Sequence, residues 1–279
     1  MLNVDFHLHT TESDGMLTPE ELMRCVATAG LDYFSVTDHD TIAAYQRHSD
    51  VFAPHRTRLI NGIEVSTVSG EREVHILAYR CAGDGELTTL MGDRPALRRA
   101  RVEHIVGKLS GCGVAITMEA VQRHARGDVL GRPHVARALV QNGYATDVSD
   151  AFARYLGAGA PAYVASTTVK AQDVIAAIRH DGGVAVLAHP LRNDAEAEVE
   201  RLARCGLQGI EAFSPSHQEH DVDRLRSLAA KLGLVKTAGS DFHGPTETRP
   251  RPGVTVERAE IDSFLELCGR SSGGRGHAS

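Results

Sequence analysis

Short apolar runs punctuate this chain at nearly regular intervals, and the stretches between them carry a helical period. Strands are predicted at residues 4–9, 33–37, 58–65, 74–79, 184–188, 208–213 and 234–238. Each is short and mostly β-branched or apolar, as parallel strands buried on both faces should be. The first helix is signalled at both ends. Thr18 can cap it, Pro19 suits its first turn, Glu21 completes a capping box and Gly30 stops it. Further helices are predicted at 169–180 before Gly182-Gly183, at 196–205 before Gly206, and at 219–232 before Gly233. Alternation of this kind predicts an α/β fold with parallel strands.

The alternation stops between residues 81 and 166, where only helices are predicted, at 86–109, 118–125, 133–141 and 149–156. The chain thus divides into a discontinuous α/β unit, 1–80 and 167–269, and a helical insertion, 81–166. Residues 270–279 are rich in Gly and Ser and are expected to form a disordered tail.

Composition narrows the classes of function. The 279 residues are 42% apolar, which supplies a real core. Thirty basic against 36 acidic residues give a net charge of -6, which argues against coating duplex DNA or an anionic membrane. No apolar run approaches the ~20 residues of a membrane-spanning helix, and the N-terminus shows no secretory signal. The five cysteines are scattered and never form a CxxC pair, so they read as reduced thiols of a cytoplasmic protein. Histidine is the anomaly: 15 His stand against 13 Phe plus Tyr and no Trp. As imidazole is the commonest metal ligand, that excess directs attention to a metal site.

The histidines fall where such a site would be built. His7 and His9 lie on one face of the first strand, roughly 6.6–7 Å apart along the backbone. Alone, the pair reads equally as two hydrogen-bonded strand histidines. Similar groups recur at nearly every other strand end, however: Asp14 after the first, Asp38-His39 after the second, Glu64 at the third, His189 after the fifth, and Asp241 and His243 after the last. His75 lies within the fourth. Strand ends converge in a parallel barrel, and imidazoles with carboxylates and no thiolates suit manganese, zinc or iron. Asp38 has two readings, a ligand or a carboxylate that orients its neighbour. Asp40 reads as a cap for a helix from Thr41. Ser216 and His217 follow the sixth strand, where they either line the mouth or cap the next helix.

The segments DFHLHT, SDG, VTDHD, GIEVS, HILAY, LAHP and GSDFHG resemble, in order and spacing, the motifs of the PHP superfamily, named for its polymerase and histidinol phosphatase members. The resemblance runs from residue 1 to about residue 245, interrupted by the insertion. It implies a distorted (β/α)7 barrel and phosphoester hydrolysis at two or three divalent transition-metal ions, manganese first. It also implies a ligand assignment. His7, His9, Glu64 and Asp241 would hold one ion, Glu64 would bridge to a second held by His75 and His189, and Asp14, His39 and His243 would hold a third. Histidinol-phosphatase-like members often carry histidine where this chain has Asp14.

Within the insertion, Gly131-Arg132-Pro133-His134 opens a helix, and a helix start with a bidentate guanidinium suits an anion. Arg98 and Arg101, three apart on one helix, read as a second anion clamp or as a solvated face. This arrangement is similar to PHP-type 3′,5′-nucleoside bisphosphate phosphatases and to 5′-3′ exoribonucleases acting on very short RNA. The expected activity is removal of the 3′-phosphate from a nucleoside 3′,5′-bisphosphate. Arg132, His134 and Asp38 form the expected catalytic set, and Arg132, His134, Arg98, Arg101, Ser216 and His217 the substrate contacts. The expected partner is a small nucleotide or very short RNA, with no duplex DNA, membrane or obligate protein partner. Rival readings are a histidinol-phosphatase-like enzyme, an amidohydrolase, and a degenerate barrel retained for binding. Asp241-Phe-His243 and the carboxylate at Glu64 disfavour the amidohydrolase, and the full ligand set disfavours the degenerate barrel.

Overall fold

The computed structural model describes residues 1–55, 58–81, 83–165, 169–192, 194–246 and 249–269. The expected tail at 270–279 and the end of the insertion at residue 166 lie outside the described residues. In chain order the elements are β1 (Leu2–Leu8), α1 (Pro19–Ala29), β2 (Tyr33–Val36), α2 (Ala43–Arg47), α3 (Ser49–Phe52), β3 (Gly62–Ser69), β4 (Arg72–Tyr79), α4 (Glu86–Met91) and α5 (Arg94–Gly111). They continue with α6 (Met118–Gln122), α7 (Arg132–Gln141), α8 (Val148–Ala151), β5 (Val169–Lys170), α9 (Ala171–His180), β6 (Val184–Leu187) and α10 (Val199–Arg204). The last five are β7 (Gly209–Phe213), α11 (Glu219–Leu232), β8 (Val235–Ala238), β9 (Val254–Val256) and α12 (Arg258–Gly269). Among the described residues no helix is long and apolar enough to cross a membrane.

The fold is mixed α/β. One sheet has the order β2-β1-β9 and the other β5-β3-β4-β6-β7-β8. Isolated parallel bridges link Leu8 to Phe242 after β8, Phe34 to Leu59 before β3, and His39 to Glu64 in β3. The expectation of parallel strands throughout needs correction. β4 runs antiparallel to both β3 and β6, and β9 antiparallel to β1. Only the two residues Gly70 and Glu71 separate β3 from β4, too few for the crossover that parallel neighbours require. Gly70, at φ +62°, makes that hairpin turn. The third strand also begins later than predicted, so Glu64 sits near its start rather than at its end.

Helix ends follow the chemistry of their termini. α1 has Thr18 accepting from the Glu21 N–H, Glu21 reaching back to Thr18, and Gly30 in the left-handed conformation. The single helix expected over 86–109 is broken into α4 and α5. Gly92 breaks the helix at φ +54°, Asp93 caps the new start by accepting from the Ala96 N–H, and Pro95 occupies its first turn. The stretch expected at 149–156 divides into α8 and a π-helical turn, Phe152–Leu156.

The apolar residues form three packed groups. The largest joins the strands to α9 and α12, with Phe264 edge-on to Phe6 and Tyr79 at 4.9 and 5.0 Å. A second packs α1 against β1 and β2. The third, from Val102 to Ala162, is confined to the expected insertion. That cluster is held to the strands by charge. Asp40, fully buried at φ +53°, accepts from Arg94 Nη2 at 3.2 Å, Arg98 Nε at 2.6 Å and the Ser66 N–H at 2.9 Å. It is therefore not a helix cap: the short helix starts at Ala43, whose N–H is taken by Thr41. Asp40→Ala would leave two guanidinium groups unpaired, one buried and one nearly so. A loss of about 3–5 kcal/mol is expected in chemical denaturation; a loss below about 1 kcal/mol would show that the pairing does not hold α5 down.

Candidate metal centre

Every candidate ligand from the sequence lies within one cluster. His7 lies on β1 and His9 just after it, Asp14 lies in the loop before α1, His39 follows β2, Glu64 is on β3 and His75 on β4, and His189 follows β6. Asp241 and His243 follow β8. Three groups have ligand atoms all within 4.8 Å of one another: His7, His9, Glu64 and Asp241; His9, Asp14, His39 and His243; and His39, Glu64 and His75. Glu64 is the shared element. Its Oε2 faces His7 Nε2 at 3.1 Å, His9 Nε2 at 3.3 Å and His39 Nδ1 at 3.0 Å. Its Oε1 faces His75 Nδ1 at 2.8 Å and His189 Nε2 at 2.9 Å. At the far side His243 Nε2 lies 3.1 Å from Asp14 Oδ1.

These groups fit divalent ions. His7 Nε2, both ring nitrogens of His9, His39 Nδ1 and Glu64 Oε2 are buried without a hydrogen-bond partner, although they approach one another closely. Orphaned buried polar atoms are costly, and several aimed inward together make a ligand set for a cation. With no ion between them the rings divide: against burial, Asp241 and Glu64 push His9 up to about 10 and Glu64 pushes His75 up to about 9, protons that a cation in the cluster would displace. Burial drives His39 down to about 3, overriding the pull of Glu64 and Asp14. Burial alone would raise Glu64, but His39, His7 and His75 hold it well below the usual carboxylate range. Asp14 behaves alike, burial being outweighed by His39 and His243.

Backbone strain marks two of the ligand positions. His189 has φ +28° and Asp241 φ +54°, conformations that cost on the order of 1–3 kcal/mol unless the surroundings enforce them. Asp5 supplies part of that enforcement, accepting from the Ser240 N–H and hydroxyl and from the Gly253 N–H.

Asp38 needs correction as a catalytic group. Its carboxylate accepts from the Thr10 N–H at 2.7 Å, the Thr10 hydroxyl at 2.6 Å and the Ser13 hydroxyl at 2.6 Å. Both oxygens are thus engaged in shaping the loop that carries Asp14. Arg98 and Arg101 are not a solvated face, their side chains being largely buried. Arg98 is bound to Asp40 and the Ser66 hydroxyl, and Arg101 to the Val164 carbonyl and Glu73. Ser216 is exposed and pairs with the Ser214 hydroxyl, while His217 turns its ring to the Ala212 carbonyl. Neither caps α11, whose cap is Gln218 boxed with Asp221.

Arg132 and His134 open α7 beside the cluster. A Cβ placed on Gly131 would sit 3.7 Å from Asp14 Oδ2, and Arg137 donates to the Asp14 carbonyl at 2.6 Å. Arg132 pairs with Glu73 at 3.2 Å and lies over the rings of Phe152 and Tyr163. His134 is buried, and its Nδ1 accepts from the Gly131 N–H at 3.0 Å.

Two nearby residues escaped the sequence reading. Arg192 pairs with Asp241 Oδ2 at 2.7 Å, and nothing in the local sequence singles it out. Glu211 is buried between His7 and His189, and it left a readable signal as the only charged residue of an otherwise apolar strand, GIEAF.

Imidazoles and carboxylates packed around shared, unpaired ligand atoms are the architecture of a multinuclear metal site, and the similarities of the chain agree in kind. A family model described as PHP domain matches residues 5–161. The chain is 33% identical over 256 residues to the 3′,5′-nucleoside bisphosphate phosphatase of Chromobacterium violaceum, covering 88% of this chain and 89% of that one. It is 32% identical over 249 residues to the 5′-3′ exoribonuclease Rnm of Escherichia coli, covering 86% and 85%. Two solved structures superimpose closely, each at 30% identity. One, designated a metal-dependent phosphoesterase of Bifidobacterium adolescentis, has a TM-score of 0.84 over 98% of both chains. The other, designated an amidohydrolase of Chromobacterium violaceum with bound sulfate and no metal, has a TM-score of 0.86 over 95% of both. The chain belongs to the PHP family.

Divalent metal should raise the melting temperature of chelator-stripped protein, since only the folded chain assembles the ligands. Glu64→Gln should weaken metal binding by more than the roughly 10–100-fold that loss of an outer partner costs. Normal metal content in that variant would rule out Glu64 as the shared ligand. A second test concerns His134, which burial holds down at about 4. The unfolded ring takes up a proton near 6.5, so this group's stabilising effect is present above that pH and is lost as pH falls toward 4. Histidine NMR should show His134 neutral from pH 7 to 5; a midpoint near 6.5 would contradict its burial.

Proposed function

We propose that the chain is a metal-dependent phosphoesterase that removes the 3′-phosphate of nucleoside 3′,5′-bisphosphates, giving a 5′-nucleotide and phosphate. The observation that carries this reading is the start of α7, with Gly131 beside Asp14 and Arg132 paired with Glu73, which itself lies 3.9 Å from His75 Nε2. A bisphosphate presents two anionic groups, one for the ions and one for a cationic contact roughly a ribose away. Two or three divalent ions, manganese first, would be held by Asp14, Glu64, Asp241 and the imidazoles of His7, His9, His39, His75, His189 and His243. Bound there, they supply Lewis acidity and lower the pKa of water for attack on phosphorus.

The chain's own residues do the rest. Arg132 offers a planar fork for the second phosphate, reinforced by the positive end of α7. His134, with Nδ1 engaged as an acceptor, carries its proton on Nε2 and acts as a neutral donor to a phosphoryl oxygen. The inserted helices form the roof of the substrate site. The isolated bridges support reading β1, β2, β3, β4, β6, β7 and β8 as a distorted seven-stranded barrel. The working location is the cytoplasm. A second reading, 5′-3′ cleavage of short RNA, is favoured by the comparable identity to the Escherichia coli exoribonuclease.

Manganese-loaded protein assayed against 3′,5′-bisphosphates, histidinol phosphate and short RNA, with phosphate and nucleotides measured separately, distinguishes these readings. Fastest phosphate release from the bisphosphate is expected. Release of nucleotides from RNA with no phosphate from the bisphosphate would overturn the assignment. Arg132→Ala should lose one charge-assisted contact, about 1.5–3 kcal/mol, or roughly 10- to 150-fold in kcat/KM. Metal content should be unchanged, and unchanged kcat/KM would remove Arg132 from the substrate site.

A further inference from the structure

We infer that Glu211 is a positioning residue that prepares two ligands of the metal centre at once: it sets the tautomer of the His7 ring and fixes the backbone that carries His189. The inference rests on the metal-centre reading above and extends it to a residue outside the ligand set.

Burying a carboxylate costs several kcal/mol unless its oxygens are hydrogen-bonded. Glu211 sits in the middle of β7, 1% exposed, on a strand whose other residues are apolar. Its compensation comes from the site. Oε1 lies 3.0 Å from His7 Nδ1, and Oε2 accepts the His189 N–H at 2.8 Å. An ionised carboxylate only accepts, so the His7 proton must reside on Nδ1. Once an ion displaces any proton from Nε2, that atom offers its lone pair; it faces Glu64 Oε2 and Asp241 Oδ1 and lacks a hydrogen-bond partner. The other tautomer would present an N–H to the metal position and leave Glu211 facing a second lone pair.

The same carboxylate steadies the turn after β6. His189 is held at a positive φ that a side chain of its size rarely adopts. The bond from its N–H to Glu211 is a fixed point in that turn, and its ring reaches Glu64 Oε1. One buried charge therefore ties β1, β6 and β7 together and orients a ligand on either side of Glu64. Space for the arrangement is reserved by Gly239. A Cβ there would collide with Glu211 Oε1 and come within 2.5 Å of His7 Cβ. The glycine that opens GSDFHG is thus required by the His7–Glu211 pair.

Glutamine at 211 matches the shape but not the pattern of acceptors. Its single amide oxygen can serve His7 or the His189 N–H, and its NH2 must then confront the other donor. The test compares wild type with Glu211→Gln. Manganese affinity is read by chelator competition, and the His7 tautomer by nitrogen NMR of the wild-type protein loaded with diamagnetic zinc. We expect the proton on His7 Nδ1 and a 10- to 100-fold weaker manganese affinity in the variant. A proton on His7 Nε2, or a variant affinity within about twofold of wild type, would overturn the proposal. Should the variant fail to fold, the wild-type tautomer decides alone. Failure of wild type to bind manganese at all would instead overturn the metal-centre reading itself.

Discussion

The structure is organised around a buried carboxylate that no solvent reaches. Glu64 lies at 2.8–3.3 Å from five imidazole rings, three on one oxygen and two on the other. Such a group is tolerable in a protein interior only if positive charge or donors surround it. Strands β1 and β4, the ends of β2 and β6, and β3 itself must therefore all meet at this point. Topology, strand register and the strained turns at His189 and Asp241 can be read as consequences of keeping that convergence.

Around this centre, other buried carboxylates do different work. Asp38 shapes the loop that presents Asp14, and Asp5 braces the turn at Ser240. Asp40 takes two arginines of α5 and so fastens that helix to the strands. Glu211 faces His7 and His189. Each of these groups is close to the ligands, yet each has its oxygens taken up by donors. The candidate ligand atoms differ in that several have no hydrogen-bond partner, which separates them from the residues that hold the site together.

Much of this was legible in the sequence, for identifiable reasons. A ligand must bring a particular side chain to a strand end, so His7, His9, His39, His189 and Asp241 stood out from apolar surroundings. Caps likewise declare themselves, as Thr18 with Glu21 did at α1. Strand direction did not, because a fully buried run such as Val74–Tyr79 reads alike in either orientation; only the two-residue link to β3 betrays the hairpin. The roles of Asp38 and Asp40 were hidden because their partners, Ser13, Arg94 and Arg98, are distant in sequence. Arg98 and Arg101 looked like a surface pair for the same reason. The strand β9 and the helix α12 carried too little pattern in the segment after GSDFHG to be expected.

The central claim is that Glu64 is shared between ions. Anomalous diffraction from crystals soaked in manganese tests it directly. The account predicts at least two anomalous peaks, one within bonding distance of each Glu64 oxygen, the first also meeting His7, His9 and Asp241 and the second His75 and His189. A single peak away from Glu64, or none at full manganese occupancy elsewhere, would contradict it.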